Sequence, residues 1–335
     1  MKRVLAGEVR ALARVCRFID DQRPGYRELC RQLFPHAQRA WVVGITGSPG
    51  VGKSTLTDAL VSQFRARGWR VGVVAIDPTS PFTGGAFLGD RIRLQQHFQD
   101  PEVFIRSLAT RGALGGLSRT TQDMVVAVAA WQADVVLVET VGVGQDEVDV
   151  VRLADATCVV VAPGMGDDIQ ATKAGILEVA DVFVVNKADR DGADAAVRDL
   201  EMMLALGAPM LPTSSFGGHG MRTGLTLDNA AGPPEASWVP PIIRSVATAN
   251  LGVAELVLEL DRHRELMEQS GNARQRRRRK GELMLLRMLQ ERWMQDFSST
   301  LGPELNAALD RIELGELDPY SALDLFRERF APVGC

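Results

Sequence analysis

The chain has 335 residues, 46% hydrophobic and 24% charged, which is enough to bury one large domain with an appendage, or two domains. That composition excludes a disordered, collagenous or disulfide-scaffold protein. Lys and Arg (38) against Asp and Glu (42) leave a net charge of −4, so no overall positive field draws the chain to nucleic acid or an anionic membrane.

From the start, Glu8 and Arg10 interrupt any apolar leader, and no apolar run approaches the roughly 18 residues that a membrane span needs. The expectation is a chain neither exported nor membrane-spanning. Cys16, Cys30, Cys158 and Cys335 are widely separated, with no Cys-x-x-Cys and no histidine pair, so free thiols in a reducing cytoplasm are expected.

Val9, Leu12, Val15, Cys16 and Ile19 recur at helical spacing, predicting an amphipathic helix with a second short one ending near Pro35. Residues 1–38 thus read as an N-terminal helical arm. From Trp41 the texture changes to short β-branched runs between helix-length segments: Trp41–Thr46, Val71–Asp77, Val135–Glu139, Thr157–Ala162 and Val182–Asn186. Such alternation predicts a parallel sheet wrapped by helices, an α/β domain over residues 39–262. Between Leu211 and Pro241 glycine and proline accumulate without apolar periodicity, predicting a long surface loop. One more strand and a helix from Val253 follow. Residues 263–335 read as all-helical, opening on the basic run Arg274–Lys280, expected to be solvated or partner-facing. Leu283, Leu286, Leu289, Trp293 and Phe297 exceed what a short helical tail buries by itself, so this region is expected to form a homodimer.

Gly47-Ser48-Pro49-Gly50-Val51-Gly52-Lys53-Ser54 fits the P-loop pattern and sits between an apolar strand and a helix, the context that motif requires. Glycines let successive backbone N–H groups turn toward phosphate oxygens, and Lys53 adds a point charge for the β and γ phosphates. The cradle runs through Thr55, with Ser54 expected on Mg2+. The strand ending at Glu139 supplies a carboxylate at the Walker B place, one methylene longer than the usual aspartate, to bind the metal directly or through water. Asp77 and Asp90 stay open on the residues alone. Either fits a metal, yet Asp77-Pro78 is also an ordinary turn start and Asp90 an ordinary helix cap.

Asn186-Lys187-Ala188-Asp189 ends a buried strand and fits the guanine-reading Asn-Lys-x-Asp pattern. A carboxylate there accepts from guanine N1–H and N2–H, a donor pair adenine lacks. Ser245-Val246-Ala247 ends the last strand and would complete the base pocket with backbone N–H groups. No glutamine directly follows Gly142, where many GTPases hold the water-positioning residue, and Gln145 comes three places later. Positioning of the attacking water is therefore expected to need Gln145, Asp167, Gln170 or Lys173, carried on loops that rearrange.

With these residues in hand, the sequence resembles the MeaB/ArgK family of P-loop GTPases, which service adenosylcobalamin-dependent methylmalonyl-CoA mutase and related acyl-CoA mutases. Beyond the P-loop the resemblance rests on Ile76–Pro81, Leu88–Arg91, Arg106–Gly112, Glu139–Gln145 and Pro163–Gln170 with Lys173. The glycine-rich stretch near His219 is longer than the family pattern. The resemblance implies a P-loop NTPase fold, GTP or GDP with Mg2+ as cofactors, and Asp77, Asp90 and Glu139 joining Ser54 around the metal. It also implies a C-terminal homodimerisation region and an acyl-CoA mutase as partner. Two other readings share the fold. A nickel-insertion GTPase needs a Cys/His surface site that His36, His97, His219 and His263 do not compose, and a P-loop kinase has no use for a guanine reader.

Overall fold

The computed structural model describes residues 1–77, 94–109, 119–140, 150, 153–164, 180–206 and 238–329. The β-branched runs form a parallel seven-stranded sheet with order β3-β2-β4-β1-β5-β6-β7. Its strands are β1 (Trp41–Thr46), β2 (Val71–Asp77), β3 (Val103–Ala109), β4 (Val135–Glu139), β5 (Ala156–Val161), β6 (Val182–Asn186) and β7 (Ile242–Ser245). β1, β4, β5 and β6 are buried throughout, as strands covered on both faces must be. The fifth strand begins and ends one residue earlier than its apolar run suggests. β3 is not predicted by apolar patterning, because Arg106 and Ser107 interrupt it; it lies at the sheet edge.

Helices cover both faces. α1 (Lys2–Leu5), α2 (Val9–Asp20) and α3 (Tyr26–Leu33) form the N-terminal segment, and α5 (Arg119–Ala130) shares their core. Leu12, Cys16 and Ile19 of α2 are fully buried there with Trp131, Val136 and Val138. Burial pushes the Cys16 thiol up to about 12, so it behaves as a small hydrophobe. The ion pair of Asp20 with Arg106, at 2.7 Å, ties α2 to β3. On the opposite face α4 (Lys53–Ala66) and α7 (Val253–Gln269) pack Leu56, Leu60, Phe64, Leu256 and Leu260 over Val43, Ile45, Leu137 and Val184. α6 (Ala193–Leu206) completes a third cluster with β5 and β6.

The chain divides into two compact units, Met1–Arg276 and Arg277–Cys335. The second contains most of α8 (Asn272–Glu313) and α9 (Pro319–Arg329). α8 breaks from helical backbone at Leu301, just ahead of Pro303, whose ring and missing N–H do not fit an uninterrupted helix. Phe297 and Phe326 meet edge to face with centroids 5.1 Å apart, holding α9 to α8. Leu285, Trp293 and Met294 remain exposed. The expected long loop at 211–241 lies almost wholly outside the described residues.

At the N-terminal edge of the sheet, Asp181 is a buried hub. One carboxylate oxygen accepts from the Thr157 N–H at 2.8 Å; the other lies 3.0 Å from Arg276 Nη2 and 3.1 Å from His263 Nε2. Trp238 Nε1 donates to the Asp181 carbonyl at 2.7 Å and its ring packs edge-on to His263. Arg276 thus departs from the solvated role expected of the basic run: it turns inward, also reaching the Asp155 carbonyl at 3.3 Å. Burial acts to raise the Asp181 carboxyl, but the Arg276 charge, reinforced by His263, outweighs it and holds the group down to about 2. A carboxyl depressed in the folded state stabilises above its unfolded value near 3.9, and that contribution fades as pH falls toward the folded value. Replacing Asp181 by Asn should lower the unfolding free energy by about 2–4 kcal/mol at neutral pH. In urea titrations the gap from wild type should narrow between about pH 4 and 2; a gap unchanged across that window would contradict the assignment.

Candidate nucleotide site

The phosphate loop occupies the turn from β1 into α4. β1 lies between β4 and β5, where the chain departs to either side of the sheet, and such a switch point opens a crevice beyond the C-terminal strand ends. Gly47, with φ +136°, stands where a Cβ would run into the Val160 carbonyl of β5. Gly52, with φ +97°, stands where a Cβ would strike the Asn186 amide. No side chain is tolerated at either place. Between them Ser48 is half-buried, Pro49 and Gly50 are exposed at the tip, and Val51 is buried. Thr55 sits half-buried in the first turn of α4.

Lys53 opens that helix, and its Nζ donates to the carbonyls of Gly47 at 2.6 Å and Ser48 at 2.9 Å. The ammonium is thereby held against the start of the loop. Ser54 Oγ donates to Glu139 Oε1 at 2.6 Å, and both residues are more than nine-tenths buried. Register explains the meeting. Glu139 lies opposite Ile45 on β1, one residue before Thr46 and the loop. Thr57, one turn further along α4, brings its hydroxyl within 2.9 Å of Glu139 Oε2. Thr46 and Thr140, at the ends of the adjacent strands, join through their hydroxyls at 3.1 Å. Asp77 ends β2 two residues beyond Ala75, which is in register with Glu139.

The second half of the site is a set of bonds around Asn186. Its Nδ2 donates to the Val51 carbonyl at 2.9 Å, while Oδ1 accepts from the Ala247 N–H at 3.1 Å and the Ser245 hydroxyl at 3.2 Å. Lys187 has a left-handed backbone, φ +58°, and its Nζ donates to the Gly50 carbonyl at 2.6 Å. Ala188 N–H donates to the Ser245 carbonyl, and Val246 closes a tight turn with Leu251. Asp189 projects exposed from the end of this assembly.

The structure therefore brings together Gly47–Thr55, Glu139, Asn186, Lys187 and Ser245–Ala247, with Asp189 exposed at their side. Asp90, Gln145, Asp167, Gln170 and Lys173 lie outside the described residues. Two functional-looking groups escape motif reading. Thr57 signals itself only by its one-turn offset from Lys53, and Thr140 only by following Glu139. Among the described residues there is no grouping of three His, Cys, Asp or Glu side chains that could hold a metal ion. The oxygen pair of Ser54 and Glu139, one hydroxyl and one carboxylate, is instead donor chemistry of the kind that would suit Mg2+.

A family model described as methylmalonyl Co-A mutase-associated GTPase MeaB matches residues 12–301. The chain belongs to this family. A Pyrococcus abyssi protein named provisionally as a GTPase is 42% identical over 334 residues, covering 97% of this chain and 94% of its own. The methylmalonic aciduria type A homolog of Caenorhabditis elegans, a mitochondrial protein, is 32% identical over 94% of this chain and 73% of its own. GTPase ArgK of Escherichia coli is 38% identical over 57% of this chain and 59% of its own. Among solved structures, a LAO/AO transport system kinase superposes with a TM-score of 0.71 at 23% identity, over 99% of this chain and 96% of that one, and shares the fold.

The Asn186 bonds predict their own test. Asn186→Ala leaves the Val51 carbonyl and the Ala247 N–H without that partner and should cost about 1–3 kcal/mol in chemical unfolding. A loss within 0.3 kcal/mol, roughly that of a neutral surface change, would contradict the bridging role.

Proposed function

We propose that the chain is a Mg2+-dependent GTPase acting as a chaperone that gates adenosylcobalamin loading, protection and reactivation of an acyl-CoA mutase, methylmalonyl-CoA mutase or a relative. The observation that carries the nucleotide reading is the direct tie between phosphate loop and base loop through Asn186, in a chain of the MeaB family. The family description supports the mutase as client.

In this reading the backbone of Gly47–Thr55 surrounds the phosphates, and Lys53 releases its loop carbonyls to charge-pair with the β and γ oxygens. Ser54 and Glu139, with Asp77 and Asp90, hold Mg2+, which when bound neutralises charge developing on the phosphates. Asp189 accepts from the guanine edge, while Ala247 and its neighbours offer backbone donors. One of Gln145, Asp167, Gln170 and Lys173 positions the water once a partner docks, so turnover without partner is slow. The working division is an arm at 1–38, a GTPase domain at 39–262 and a homodimerisation region at 263–335, the last supported by exposed Leu285, Trp293 and Met294. A cytoplasmic site is supported by the free thiols of Cys16 and Cys158.

Asp189→Asn should weaken GTP by about 2–4 kcal/mol and favour xanthosine nucleotides, since an amide presents an N–H to guanine donors. Calorimetric titration of GTP, XTP and ATP checks this, and ATP bound as tightly as GTP by the wild type would refute the base reading.

The client reading is tested by titrating an adenosylcobalamin-dependent mutase against the protein loaded with GDP or a non-hydrolysable GTP analogue while following cofactor transfer. Affinities should differ between the two states, because a nucleotide can act on a partner only through differential contacts. Equal affinities with unchanged cofactor loading would remove the chaperone role.

A further inference from the structure

Glu139 is one methylene longer than the aspartate common at its place, and that extra length adds a torsion that must be restrained before the carboxylate can serve a metal. The terminal torsion of a glutamate is intrinsically broad, so one contact does not define the orientation of both oxygens. Here each oxygen has its own hydroxyl: Ser54 on Oε1 at 2.6 Å and Thr57 on Oε2 at 2.9 Å. Thr57 is wholly buried, on the turn of α4 that follows Lys53.

A threonine hydroxyl inside a helix ordinarily bonds back to the carbonyl four residues earlier. That carbonyl, Lys53 O, lies 3.0 Å away, but a hydroxyl has one proton and the carboxylate is the stronger, charged acceptor. The threonine methyl and the helix backbone leave the hydroxyl little freedom to turn elsewhere. We propose that Thr57 is a positioning residue for the metal site: its hydroxyl holds Glu139 Oε2, so that Oε1 stays aimed at Ser54 and the Ser54–Glu139 pair is set before Mg2+ arrives. The inference rests on the reading of Ser54 and Glu139 as metal donors. It goes beyond that reading by placing outside the P-loop motif a residue that never touches the metal.

The test uses the full chain and a fluorescent GDP, measuring affinity against free Mg2+ and again in excess EDTA. Thr57→Val keeps the shape and removes the hydroxyl; Thr57→Ser keeps the hydroxyl. The Mg2+ midpoint should rise about 5- to 20-fold in Thr57→Val, the loss of one charge-assisted bond's worth of preorganisation, and stay within about 3-fold of wild type in Thr57→Ser. GDP affinity in EDTA should remain within about 2-fold for both variants, which a general loss of packing would not allow. An unchanged midpoint in folded Thr57→Val, or Thr57→Ser as impaired as Thr57→Val, overturns the proposal. If thermal melts show Thr57→Val unfolded, Thr57→Cys, a weak donor of similar size, takes its place under the same criteria. A wild type whose GDP affinity ignores Mg2+ would instead refute the metal reading itself, a result distinct from either outcome for Thr57.

Discussion

A phosphate loop is a stretch of backbone with almost no side chains to hold it, so its shape has to be imposed from outside. Asn186 does much of this. Its amide donates to the Val51 carbonyl within the loop and accepts from the Ala247 N–H beyond β7, joining two turns that are far apart in sequence. Buried bonds of this kind are expensive to leave unmade, which makes the amide a strict constraint on both turns. Gly52 follows from it, because only a residue without Cβ lets the amide approach. Lys187 adds a second strap to the Gly50 carbonyl, from a left-handed backbone that a lysine adopts only when its surroundings impose it.

Restraint of polar groups recurs on both edges of the sheet. At the C-terminal edge Glu139 is met by two hydroxyls from successive turns of α4, so strand and helix are joined by a charged group in an apolar setting. At the N-terminal edge Asp181 binds the start of β5, α7 and Arg276 together. Both carboxylates are buried, and burial of a charge is tolerable only where each oxygen has its partner. β6 connects the two edges, starting just after Asp181 and ending at Asn186. A single short strand thus has the Asp181 hub just before one end and the clamp of the nucleotide site at the other.

Much of this was legible in the residues. Apolar runs of strand length gave six of the strands, the amphipathic spacing around Leu12 gave α2, and the two nucleotide motifs placed their residues at strand ends. Those signals are local: each depends on a few consecutive side chains and the backbone geometry they prefer. β3 was not legible, because an edge strand carrying Arg106 and Ser107 lacks the apolar continuity of its neighbours.

What the sequence determined by itself was therefore which segments become strands, helices and glycine turns, and which residue types the phosphate-loop and Asn-Lys-x-Asp motifs supply. The tertiary structure decided which of those residues meet. That Thr57 reaches Glu139, that Arg276 leaves the basic run for Asp181, and that Asn186 spans two loops depend on strand order and register. These are long-range choices made by burying both faces of the sheet, and no short window of sequence contains both partners.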